Sequence, residues 1–149
     1  MIWCLEKYVK YAEDVSVILG LENHNHNGFA KTAGDVLHII SEVDSPWLKH
    51  TLDTGNYLDI YPSIEKTASL AVNVHAKIYY PAGCSGFLTT IYHPPTKEKE
   101  KELDYDRILK ILKGVQYNGF LTLEYVGEEE EETALPRVAK YLEKIMGTH

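Results

Sequence analysis

Apolar residues recur along the chain in two rhythms. Leu5, Tyr8, Val9 and Ala12 repeat at the three-and-four spacing of a helix face, which predicts an amphipathic helix over 3–13. The apolar run that follows, "VSVILGL", predicts a strand over about 16–22. Thr32 stands three residues before Asp35 in a capping-box arrangement, and Val36, Leu37, Ile40 and Val43 form the stripe of a second helix that ends at "DSPWL". "LKHTLD" predicts a strand over 48–53, the turn residues "TGN" follow, and Ile64, Ala68 and Leu70 mark a helix over 62–69. "AVNVHAK" is the third strand. Beyond the Gly/Pro-bearing connection 81–103, "DYDRILKILKGV" is helical, "GFLTLEY" is a fourth strand, and 134–146 form a closing helix with Pro136 in its tolerant first turn.

One helix followed by four strand-plus-helix units is the pattern of a parallel sheet with crossover helices, hence an α/β fold. A closed eightfold barrel of this kind takes about 250 residues. The 149 residues here therefore predict a single domain over 1–149 of the parallel (β/α) barrel type, with about four units, half of a barrel.

Strand parity then separates two sets of side chains. Stepping back by twos from each strand end gives Glu22 and Gly20, Asp53 and Thr51, His75 and Asn73, Glu124 and Thr122 on one face. The other face carries Leu19, Leu21, Leu52, Val72, Val74, Leu121 and Leu123, the residues that covering helices pack against. The polar row therefore faces inward, and each strand ends in an acid–base or metal-capable side chain. Ligands bind at that end of parallel α/β sheets. A lone carboxylate at a strand end is more often a cap or a solvated turn residue, and a lone histidine is more often a satisfied core residue. Four in register carry the functional reading. Two glutamates, one aspartate and one neutral imidazole make a hard, oxygen-rich set with a single nitrogen, suited to Mn²⁺, Mg²⁺, Co²⁺ or Zn²⁺ rather than to a soft metal. His24 and His26 flank the set. The "GEEEEE" run at 127–132 reads as a solvated loop and first helical turn favoured by the helix dipole, and "KEKEKE" reads as a solvated face.

Composition narrows the function classes. A net charge of -7 without an offsetting basic patch argues against nucleic acid as the main partner. No apolar run approaches the roughly eighteen residues of a membrane span, and an acidic residue, Glu6, stands where a signal peptide would be apolar. Cys4 and Cys84 lie too far apart for a CxxC site, so neither a disulfide framework nor a Cys-based zinc site is expected, and a cytoplasmic location fits best.

The segments "GLENHNHNGF", "VDSPWLKHTLDTGN", "VNVHAK", "ELDYDRILKIL" and "GFLTLEYVGEE", in this order and spacing, resemble the C-terminal half of the sugar phosphate isomerase/epimerase family, the xylose isomerase-like TIM barrels. The resemblance implies one divalent metal on Glu22, Asp53, His75 and Glu124, with Glu22 and Glu124 also the acid–base pair of ketose epimerisation. His24, in "ENH", and Lys77, in "HAK", are similar to positions that line the substrate site. Epimerases commonly carry a histidine three residues after the strand-end aspartate, where this chain has Asn56, so the substrate contact there differs. The DNA-repair branch, resembling endonuclease IV, needs that histidine and an Asp-x-His pair, and "DTGN" and "IYHPP" supply neither. The family's first four strands have no counterpart in the chain.

The resemblance implies a metal-dependent isomerase or epimerase of a sugar or sugar phosphate, acting by proton abstraction beside a carbonyl through an enediolate. The alternative is a catalytically incomplete half-barrel or gene fragment, paired either with a second copy or with the missing N-terminal half. A metal-dependent phosphodiesterase is the weakest reading.

Overall fold

Five helices and four strands alternate along the described residues, each strand returning parallel to the last. A computed structural model describes residues 1–25, 28–78, 103–127 and 129–147. They form α1 (Ile2–Asp14), β1 (Leu19–Glu22), α2 (Ala33–Val43), β2 (Leu48–Asp53), α3 (Ile60–Thr67) with a 3-10 turn at Ala68–Leu70, β3 (Ala71–Ile78), α4 (Tyr105–Gly114), β4 (Phe120–Tyr125) and α5 (Glu131–Met146). The "KEKEKE" run, "IYHPP", Cys84 and His26 lie outside the described residues.

The four strands form one parallel sheet in the order β1-β2-β3-β4. Its helix-facing side and the helices make the core, in which Val36, Leu52, Ile64, Val74, Ile78, Ile108 and Val138 are fully buried. A second apolar cluster of Val9, Val43 and Leu48, with Leu5 and Leu19 against it, seats α1 beside α2. The opposite side of the sheet carries the polar row. Gly20 sits there because a Cβ would come 2.1 Å from Thr51 Oγ1, so the side chain of the neighbouring strand takes its place.

Register tilts that row. Glu22 lies opposite Thr51, two residues short of Asp53; Asp53 lies opposite His75; and Glu124 lies opposite Lys77, two residues beyond His75. Residues at one height therefore climb along successive strands, as the strand tilt of a barrel requires.

Several boundaries differ from the sequence expectation, each for a local reason. β1 begins at Leu19 rather than 16 because Val15–Val17 complete the end of α1. Ser16 adopts φ 55°, its N–H bonds to Glu13 O at 3.1 Å, and Val17 N–H bonds to Ala12 O at 2.8 Å, a Schellman closure without glycine. On α1 Tyr8 is exposed while Val9 and Ala12 are buried, and on α2 Ile39 takes the inward place expected of Leu37, which is exposed. Val72 is exposed because the β2–β3 register shifts between His50 and Thr51 and passes over it. α3 starts at Ile60, and its last turn tightens to 3-10. α5 starts at Glu131, so Pro136 stands beyond the first turn and removes the bond its N–H would give to Glu132, which is exposed.

Candidate metal and acid–base site

Glu22, Asp53, His75 and Glu124 converge. Each offers a ligand atom, and these atoms all lie within 4.8 Å of one another. The sequence reading of strand ends placed the same four residues together, and the geometry supplies the physical reason: the tilted register cancels the unequal positions along the strands. His75 is central, its Nδ1 lying 3.5 Å from Glu22 Oε1 and 3.6 Å from Glu124 Oε2.

Asp53 is the most rigidly held of the set. Its side chain is fully buried, Oδ1 accepts from Gly55 N–H at 2.7 Å, and Oδ2 accepts from Asn56 Nδ2 at 2.9 Å and Lys77 Nζ at 3.1 Å. Its backbone is clasped as well: Asn23 Nδ2 donates to Asp53 O and Asp53 N–H donates to Asn23 Oδ1, both at 2.9 Å. The Asn23 amide thus extends the β1–β2 ladder beyond Glu22 with a side chain. Lys77 Nζ also donates to Glu124 Oε1 at 2.7 Å. Its N–H binds Thr54 Oγ1, and its carbonyl accepts from the buried Tyr105 hydroxyl, which fixes the strand end from below.

Protonation follows this layout. Burial pushes the Asp53 carboxyl up to about 7, against the pull of the Lys77 ammonium. Burial also raises Glu124, but hydrogen bonding with Asp53 and Lys77 outweighs it and leaves this carboxyl below the ordinary glutamate range. The cluster thus holds negative charge at a cost that a cation would relieve.

Two atoms point to where a cation fits. His75 Nδ1 and Glu124 Oε2 are buried without a hydrogen-bond partner. An unpartnered nitrogen and carboxylate oxygen facing each other, with Glu22 Oε1 at the same nitrogen, match the donor set of a divalent ion. The residues present therefore fit one.

The other expected site residues fall differently. Asn56 is buried and turned onto Asp53. Lys77 bridges two of the four cluster residues. His24 is exposed in the loop after β1, its N–H bonded to Ala30 O at 2.8 Å. Asn23 and Tyr105 escaped the sequence reading. Parity assigns Asn23 to the helix-facing side, and its full burial is visible only in the structure. In the "GEEEEE" run, Glu130–Glu132 are exposed as expected, whereas Glu129 is half-buried and paired with Arg137.

The family model of the xylose isomerase-like TIM barrel matches residues 1–145. The chain belongs to this family. Among solved structures, this xylose isomerase-like chain is similar to a xylose isomerase domain protein from Planctomyces limnophilus, with 16% identity, a TM-score of 0.69, and 97% of this chain and 50% of the other covered. It is similar to 3-keto-D-glucoside 4-epimerase from E. coli, with 17% identity, a TM-score of 0.68, and 96% and 51% covered. It is also similar to a D-tagatose 3-epimerase-like protein, with 23% identity, a TM-score of 0.66, and 98% and 54% covered. These likenesses show the fold. The xylose isomerase-like chain spans about half the length of each. No curated protein matches it by sequence. Among the described residues no helix is long and apolar enough to cross a membrane.

Proposed function

We propose that the chain carries the metal-binding and acid–base half of a sugar or sugar phosphate isomerase/epimerase that moves a proton beside a carbonyl. The convergence of Glu22, Asp53, His75 and Glu124 on one point carries this reading; sugar epimerases among the fold neighbours are consistent with it. The four side chains would hold one divalent ion. When bound, that ion supplies Lewis-acid stabilisation of negative charge on the substrate oxygens.

Glu22 and Glu124 stand on the two outer strands, one on each side of His75, and serve as the acid–base pair. One carboxylate takes the proton from the carbon next to the carbonyl. Return by the other to the same carbon from the opposite face gives epimerisation, and return to the neighbouring carbon gives aldose–ketose isomerisation. Lys77 holds Glu124 Oε1, which fixes the carboxylate with Oε2 toward His75 Nδ1. Burial and three donors fix Asp53, which orients rather than reacts. His24, at the exposed rim, is the substrate-facing residue of the set. Asn56 and Lys77 act through Asp53, and their contact with a sugar is confined to what their remaining donors reach.

A closed barrel needs four more strands. A second copy of this chain fits poorly, because α1 flanks β1 and α5 flanks β4, and two copies would bring both helices to the same crevice. A complement of four strands joined by three helices closes the barrel without that clash.

The test is Glu124→Gln, nearly isosteric but unable to take a proton. Exchange of solvent deuterium into a ketose, followed on a barrel completed with its other half, should fall by about 10²–10⁴-fold while the fold is kept. Undiminished exchange removes Glu124 from the acid–base role.

A further inference from the structure

The cluster has two unlike corners. In one, His75 Nδ1 and Glu124 Oε2 are buried without a hydrogen-bond partner, 3.6 Å apart, and Glu22 Oε1 lies 3.5 Å from the imidazole nitrogen. In the other, Lys77 Nζ bridges Asp53 Oδ2 and Glu124 Oε1 at 3.1 and 2.7 Å. An ammonium spanning two carboxylates stands where a second cation shared by them would stand. We infer that Lys77 is the cluster's built-in second cation and limits it to a single divalent ion. This rests on the metal-site reading above and adds what sets its stoichiometry.

Charge balance supports the assignment. With every ligand deprotonated, as ion binding requires, the three carboxylates, the imidazole and the Lys77 ammonium sum to two negative charges, which one divalent ion neutralises. A second ion would leave a half-buried site with two uncompensated positive charges, which such surroundings disfavour. Backbone packing supports it too. A Cβ on Gly55 would come 2.9 Å from Lys77 Cδ, so glycine at this position leaves the course that the lysine stem follows to reach Asp53. Lys77 is thus a positioning residue, acting on the ion through Asp53 and Glu124.

The probe is Mn²⁺ alone, added to the full chain and counted by equilibrium dialysis with elemental analysis. Electron paramagnetic resonance distinguishes isolated from spin-coupled ions. The wild-type chain should bind one uncoupled Mn²⁺. Lys77→Met and Lys77→Gln should admit a second, spin-coupled Mn²⁺ at least about tenfold more tightly than the wild type does, whereas Lys77→Arg should keep a stoichiometry of one. Two coupled ions in the wild type would overturn the inference without recourse to any variant. One ion in the wild type and one in folded Lys77→Met or Lys77→Gln would overturn it while leaving the metal site standing. No ion in the wild type would remove both.

Discussion

The inner strands β2 and β3 and the outer strands β1 and β4 furnish the same cluster by different physical means. Asp53 on β2 has no exposed side-chain surface and His75 on β3 has 24%, whereas Glu22 on β1 and Glu124 on β4 retain 39% and 35%. Each inner strand is hydrogen-bonded on both sides, and each outer strand on one. The inner pair is therefore a prebuilt, desolvated anchor. The outer pair brings the two carboxylates proposed to move protons, on strands that pair on one side among the described residues. Orientation is fixed at the centre and left to be completed at the edges.

The largest expected effect comes from completing those edges. A displacement of about 1 Å in a reacting group costs on the order of a hundredfold in rate, so loosening both Glu22 and Glu124 costs up to about ten-thousandfold if the two act independently. An apolar groove of about 490 Å³ marks the open side of β1, lined by Tyr8, Tyr11, Val15, Val17 and Leu21 and reaching Glu22. Tyr8, exposed on the stripe of α1 that buries Val9 and Ala12, lines that groove. The chain alone should therefore turn over a panel of ketoses and ketose phosphates at a small fraction of the rate of the closed barrel. Activity assays paired with sedimentation check this, and full turnover by a monomer would erase the distinction between inner and outer strands.

The second effect concerns how β1 is fastened to β2. His50 is fully buried, with Nδ1 donating to Leu21 O at 2.7 Å and Nε2 2.9 Å from the Tyr57 hydroxyl. Burial pulls its pKa down from 6.5 to about 4. Between these values the unfolded chain binds a proton that the folded chain refuses. This contribution is complete above pH 6.5 and fades as pH falls toward 4, by about 3 kcal/mol in all. Asp53, raised to about 7, takes up a proton on folding over the same range and opposes this slope. The measure is therefore a difference: in urea melts the stability of the wild type minus that of His50→Gln should fall by about 3 kcal/mol from pH 6.5 to 4, and a constant difference would mean that His50 does not carry the effect.

Element order, parallel topology and all four cluster residues were legible in the sequence, because each rests on a periodicity that the burial of one face imposes. The start of β1 was not. Val15 and Val17 are as apolar as a strand requires, and only the closing bonds of α1 distinguish a helix end from a strand. The roles of Asn56 and Lys77 were not legible either. Side-chain spacing places both near the cluster, but whether their donors face outward to a ligand or inward to Asp53 depends on buried distances that no spacing encodes. The likeness to barrel enzymes suggested substrate contact, and the geometry turns both toward a carboxylate.

Asn23 joins the two kinds of strand, and its removal is the smallest and most selective of these tests. Its amide is fully buried, gives one bond to Asp53 O and takes one from Asp53 N–H. In Asn23→Ala both backbone groups lose their partner, which should cost about 2 kcal/mol of stability in a denaturant melt. The same clasp sets the height of the aspartate against Glu22, the residue immediately before Asn23. Supporting residues of this kind typically change metal affinity by about 10–100-fold, so the Mn²⁺ dissociation constant should rise within that range even after correction for the unfolded fraction. Asn23→Asp separates the two contributions. It can still accept from the Asp53 N–H, but it leaves the Asp53 carbonyl unpaired and sets a fourth carboxylate beside the cluster, so its stability should fall at least as far as in the alanine variant. Unchanged Mn²⁺ affinity in a folded Asn23→Ala chain would show that Asp53 is held by Gly55, Asn56 and Lys77 alone, and that the inner strands need nothing from β1.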